Sequence, residues 1–136
     1  MLLGKAHSVL FWVDMILIII LLWMVINQVV IFVRSRQAAK IVDNEEFKKA
    51  MHHAQIIDVR EEDSFKAGHI LGARNIPFSQ FKMYIGGIRK DMPVYLYEQG
   101  KALALRCAIM LKKEGFDKIF VLKGGYNKWH GKKKKN

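Results

Sequence analysis

The chain is 136 residues long, carries a formal net charge of +11 and contains a single cysteine. That length holds one ordinary domain of about 100 to 150 residues with a short appendage. The lone thiol excludes an internal disulfide and any cysteine-rich metal site, and it fits a reducing compartment. No aromatic-interleaved basic stripe or nucleic-acid module accompanies the charge, so no nucleic-acid partner is expected.

Residues 1–8 read as a short leader, expected to be extracytoplasmic. Residues 9–33 are almost continuously apolar, interrupted only by Asp14, Asn27 and Gln28. At about 1.5 Å per residue, roughly 20 such residues cross a bilayer's hydrocarbon core, so a transmembrane helix is expected. A cleaved signal peptide would show about 7 to 15 apolar residues and then a small-residue cleavage site. Here the run is longer and leads into Arg34 and Arg36. With Lys40 these cations outnumber Lys5 at the other end, which predicts a single-pass protein of the cell membrane with its soluble part in the cytoplasm. Asp14 and Gln28 lie two heptads apart on one stripe of the helix. Helix–helix association through that stripe is one reading, and hydration of both residues at the two interfaces is the other.

Residues 34–40 read as a polar linker to a domain over residues 41–130. Asp43 is placed to cap a helix reaching about His52, with Glu46 three residues on and Phe47 and Met51 on its apolar side. Residues 55–59 form a β-branched run of the kind buried in a parallel sheet. A helical turn at 62–66 leads to a short strand at 73–76, closed by Pro77. Ser79 is expected to cap a helix through Tyr84, ended by Gly86 and Gly87. Pro93 opens a strand over 94–97. A helix over 101–114 follows, with Leu105, Ala108, Ile109 and Leu111 on one face and Gly115 as its stop. Another strand at 118–122 and the turn Gly124-Gly125 lead to a terminal helix carrying Trp129, which joins Phe116 and Phe120 as candidate core.

Alternating strands and helices predict an α/β fold, a small parallel sheet with helices on both faces. Residues 131–136 form a basic tail, read either as a solubilising terminus or as a contact with anionic membrane lipid. The adjacent His52 and His53 diverge by about 100° on a helix and do not make a joint metal site; no metal and no cofactor are expected.

In open parallel sheets ligands sit at the carboxyl ends of the strands. Tyr97, Glu98, Gln99, Gly100, Lys101, Ala102 and Leu103 occupy such a position, where a tight loop entering a helix aims backbone N–H groups at an anion. Three blocks surround the loop: Ile56-Ile57-Asp58-Val59-Arg60-Glu61, then Gly68-His69-Ile70-Leu71-Gly72-Ala73-Arg74-Asn75-Ile76-Pro77, then Leu122-Lys123-Gly124-Gly125-Tyr126-Asn127-Lys128-Trp129. Together they resemble a rhodanese (thiosulfate sulfurtransferase-like) domain. The resemblance covers roughly Lys40 to Trp129 and implies the fold named above.

In rhodanese-like proteins the loop begins with the cysteine that accepts sulfur, with glycine three residues later and commonly arginine two beyond. Anchored on Gly100, this places Tyr97 at the cysteine position and Ala102 at the arginine position; a slip of one residue places Glu98 at the cysteine position instead. Neither register supplies a thiolate, so no catalytic residue is assigned. Tyr97 to Leu103 remain the anion-loop candidate, with the Tyr97 ring expected to plug the pocket. The resemblance gives Asp58, Arg60 and His69 supporting roles in a charged and hydrogen-bonded network. Cys107 reads as a packed helix residue, with Arg106 beside it as the argument for reactivity.

The expectation is therefore a membrane-anchored, catalytically silent rhodanese-like module that binds or regulates a protein partner. The alternative is a sulfurtransferase or redox protein using Cys107 or a partner's cysteine.

Overall fold

The computed structural model describes residues 2–135. The chain divides into two units, Met1–Arg34 and Ser35–Asn136. Among the described residues the first is helical throughout, the main part of α1 (Leu2–Ala38). Its large apolar side chains, Phe11, Ile18, Trp23 and Ile26 among them, are exposed. Exposed apolar surface of that extent marks a contact with a membrane or with another protein. The helix is long and apolar enough to cross a membrane, a test that an amino-terminal signal sequence also passes. The stretch read as a polar linker continues this helix to Ala38 and then enters a strand at Lys40.

In the second unit the elements run β1 (Lys40–Val42), α2 (Asn44–Ala50), β2 (Gln55–Asp58), α3 (Glu62–Ala67), β3 (His69–Ile70), β4 (Arg74–Asn75), α4 (Phe81–Tyr84), β5 (Val94–Tyr97), α5 (Ala102–Lys113), β6 (Ile119–Leu122) and β7 (Lys133–Lys134). Five strands form a wholly parallel sheet in the order β1-β6-β5-β2-β4. The α/β expectation holds. Asp43 caps α2 by accepting the Glu46 N–H at 2.9 Å, and Gly115 ends α5 at a φ of 93° that favours glycine.

Strand alternation divides the buried side chains into two cores. Ile57, Val94, Leu96, Ile119 and Val121 face Ala104, Cys107, Ala108 and Leu111 of α5, together with Phe81 and Phe116. Ile56, Tyr95, Tyr97 and Leu122 face the other way, toward Phe47 of α2, Ile70 and Trp129. Both faces of the central strands are apolar because both are covered.

Several local expectations needed correction. The terminal helix is a single 3-10 turn, Tyr126–Lys128, with Trp129 just beyond it. Ser79 caps nothing: its hydroxyl donates to Glu61 Oε2, and the helix it was expected to start is one turn, α4, flanked by 3-10 turns. Part of the basic tail is paired, since Lys133 and Lys134 run antiparallel to Ile70 and His69.

Candidate functional site

The carboxyl ends of β2 and β5 lie side by side, with Asp58 in register with Tyr97. At the β2 end Asp58 is fully buried. Its Oδ1 accepts the Arg60 backbone N–H at 2.9 Å, and its two oxygens receive Nε and Nη2 of the Arg60 guanidinium at 2.7 to 3.1 Å. The same guanidinium donates to the Gly68 carbonyl at 2.6 Å and to Gln99 Oε1 at 3.0 Å. Burial works against its charge, but the Asp58 carboxylate outweighs that and raises the Arg60 pKa above its ordinary value. Arg60 also lies over the Tyr126 ring, 4.3 Å from its centroid. His69 stacks on Phe65 at 3.8 Å, and its Nδ1 bonds the Phe65 carbonyl. Asp58, Arg60 and His69 thus each have partners in the scaffold.

At the β5 end, adjacent residues take opposite sides. Tyr97 is fully buried in the core of Phe47 and Trp129, and its Oη accepts the Ile70 N–H at 3.0 Å. Burial, then the nearby Asp58 charge, pushes its pKa up. Its ring therefore does not plug the loop. The side chain that enters the loop is Glu98: its Oε1 accepts the Leu103 N–H at 2.9 Å, in the first turn of α5. An N–H there has no intrahelical partner and lies at the positive end of the helix dipole. Glu98 is 7% exposed and forms no ion pair among the described residues.

Three contacts fix the loop. The Glu98 carbonyl accepts the Tyr126 N–H at 2.7 Å, and Gln99 bridges Arg60 to Asn127. Gly125, at a φ of 61°, approaches so closely that an added Cβ would stand 2.4 Å from the carbonyl oxygens of Glu98 and Gln99. Gly100, Lys101 and Ala102 are exposed, and Leu103 packs partly against the core. Ala102 offers no donor group on its side chain to an anion. Cys107 lies fully buried one and a half helical turns into α5. Burial first, then the Glu98 charge, pushes its thiol up to about 12.

Parallel strand ends and a tight loop into α5 are the features implied by the three sequence blocks, and the close approach of Gly125 to Glu98 and Gln99 adds a lock on that loop. The family model for the Rhodanese-like domain matches residues 43–132. The chain belongs to the rhodanese-like family. It is 46% identical over 119 residues to the uncharacterized protein YqhL of Bacillus subtilis, a match covering 88% of this chain and 94% of the relative. That length exceeds the second unit, so the likeness reaches into the apolar helix. It is 34% identical over 76 residues to the thiosulfate sulfurtransferase GlpE of Shewanella oneidensis, covering 56% of this chain and 75% of that one. Among solved structures it is similar to the thiosulfate sulfurtransferase from Pseudomonas aeruginosa, with a TM-score of 0.63 and 28% identity, over 71% of this chain and 20% of that one.

Among the described residues no cluster of three or more His, Cys, Asp and Glu is placed to hold a metal ion. Sequence reasoning missed two features of this rhodanese-like site. Tyr126 and Asn127 help to hold the loop, and their place right after the paired glycines was the available signal. Lys101, Lys123, Lys128 and His130 meet around one cleft, which the lysines' scattered positions in the sequence do not reveal.

Proposed function

We propose that the protein is a membrane-anchored rhodanese-like module that binds rather than transfers sulfur, its loop being closed by its own carboxylate. The observation that carries this reading is Glu98. It is the first residue beyond β5, and its Oε1 occupies the first-turn N–H of α5 that a bound anion would otherwise use. A carboxylate there repels an incoming thiosulfate and cannot form a persulfide. The lone cysteine is an unfavourable substitute, buried and held in its neutral thiol form by the same burial.

The anchor reading draws on the length of α1 and on a likeness to YqhL that extends into it. Arg34, Arg36 and Lys40 against Lys5 favour a cytoplasmic domain. Asp14 and Gln28 on one stripe of α1 supply a candidate helix–helix contact. A protein tag at the carboxyl terminus should survive protease added to intact cells; digestion of the tag before lysis would reverse the orientation.

A second reading keeps sulfur transfer, using Cys107 or a partner's cysteine, and draws on the likeness to thiosulfate sulfurtransferases. Assay of the full chain in neutral detergent with thiosulfate and cyanide separates the two. The binding reading expects thiocyanate at the level of the protein-free blank. Turnover above the blank that disappears in Cys107→Ser would establish the second reading instead.

A further inference from the structure

Beside the closed loop lies an open cleft of about 600 Å³. Its charged lining is Lys101, Lys123 and Lys128 with Asp43 of opposite sign, and Asn44, Asn127 and His130 are its other polar lining residues. The lysines come from separate places. Lys101 directly precedes α5, Lys123 directly follows β6, and Lys128 ends the 3-10 turn after the paired glycines. Gly124 leaves room for the Lys128 stem, since an added Cβ would stand 2.8 Å from its Cδ.

None of the three lysines forms an ion pair among the described residues. Asp43 is already engaged in capping α2. Three like charges around one concavity repel one another, and the positive end of α5 beside Lys101 adds to the same sign. Three lysines less Asp43 leave +2 in the cleft, which matches a phosphate monoester near its full charge of about −2. The volume exceeds that of a bare phosphate and falls within the range of about 300 to 1,000 Å³ usual for small-ligand clefts. It leaves room for the group that the phosphate is attached to.

We propose that this cleft, lined on one side by Lys101 of the loop and clear of Glu98, binds a phosphomonoester anion through Lys101, Lys123 and Lys128. The proposal deepens the binding-module reading and rests on it, because the loop interior is taken by Glu98 and the anion must sit elsewhere. The same chemistry has two sources, a soluble phosphomonoester or the headgroup of phosphatidic acid.

The test uses the full chain in neutral detergent, titrated calorimetrically with inorganic phosphate, glycerol 3-phosphate and short-chain phosphatidic acid. Thiosulfate turnover is measured separately on the same preparation. Saturable binding is expected, weakened about tenfold or more in Lys123→Gln/Lys128→Gln and less than about twofold in Lys112→Gln/Lys113→Gln, an equal charge change at the far end of α5. Lys101→Gln alone, with its melting temperature as a folding check, should weaken binding in the same direction. Preference for phosphatidic acid over glycerol 3-phosphate assigns the lipid source; equal affinity assigns the soluble one. Absence of saturable binding, or equal weakening in both double variants, overturns the cleft. Turnover with cleft binding intact removes the binding-module reading alone, so the two failures are distinguishable.

Discussion

Two buried carboxylates stand at neighbouring strand ends, and they are satisfied in different ways. Asp58, at the end of β2, is fully buried and gripped by the Arg60 guanidinium. Glu98, just past the end of β5, has no cation within ion-pair distance among the described residues and is met by the Leu103 backbone N–H of α5. Removing either member of a buried ion pair leaves an uncompensated charge, so Asp58 with Arg60 belongs to the scaffold. Glu98 instead takes the position of an anion at a helix start. In this account the family's loop is not an emptied site; it is occupied by a side chain of its own.

The sharpest test of that contrast is stability. Arg60→Met should cost about 3 to 5 kcal/mol, because Asp58 is left buried and unpaired, whereas Glu98→Gln keeps an acceptor and should cost under about 1 kcal/mol. Urea unfolding of the full chain in detergent measures both, and comparable losses would erase the distinction between scaffold and stand-in ligand. Next in size is Tyr97→Phe, which strips the acceptor from the buried Ile70 N–H and should cost about 1 to 3 kcal/mol. Retention of full stability would mean that the tyrosine hydroxyl does not hold β3 as described. Glu98→Ala removes the acceptor at the start of α5, for about 0.5 to 2 kcal/mol, with faster amide exchange expected at Leu103.

The smallest effect is a pH dependence. Burial raises the folded-state pKa of Cys107 to about 12, above the ordinary thiol value of 9.0. A thiol with a raised folded pKa contributes stability that is fully present below the unfolded value and is lost as pH rises through the window from about 9 to 12. At pH 10 the loss should be about 1 kcal/mol relative to pH 8, and Cys107→Ala should remove that part of the slope. Identical slopes in the two proteins would show that the thiol is not buried as described.

Much of the scaffold was legible in the sequence. Asp43, Pro93, Gly115 and the Gly124-Gly125 pair mark element boundaries through backbone chemistry that acts locally, and the structure uses each one there. The side that each loop residue faces was not legible. Val94-Tyr95-Leu96-Tyr97 is apolar on both faces, so no alternation tells which of Tyr97 and Glu98 turns toward α5. That choice follows from pairing of Tyr97 with Asp58 and from Ile70 reaching its hydroxyl, both contacts distant in sequence. The β3–β7 ladder was hidden for a similar reason, since consecutive lysines have little strand propensity and pair here through tertiary contact.

The central claim, that Glu98 rather than Tyr97 occupies the sulfur-carrier position, is tested most directly by placing a thiol at each in turn. Full-length Glu98→Cys and Tyr97→Cys, each in a Cys107→Ala background, would be treated with thiosulfate and analysed by intact-protein mass spectrometry for an added sulfur. The account predicts a persulfide on Glu98→Cys, whose thiol meets the N–H groups of α5, and none on a folded Tyr97→Cys, whose thiol lies within the Phe47 and Trp129 core. Sulfur on Tyr97→Cys with none on Glu98→Cys would contradict it.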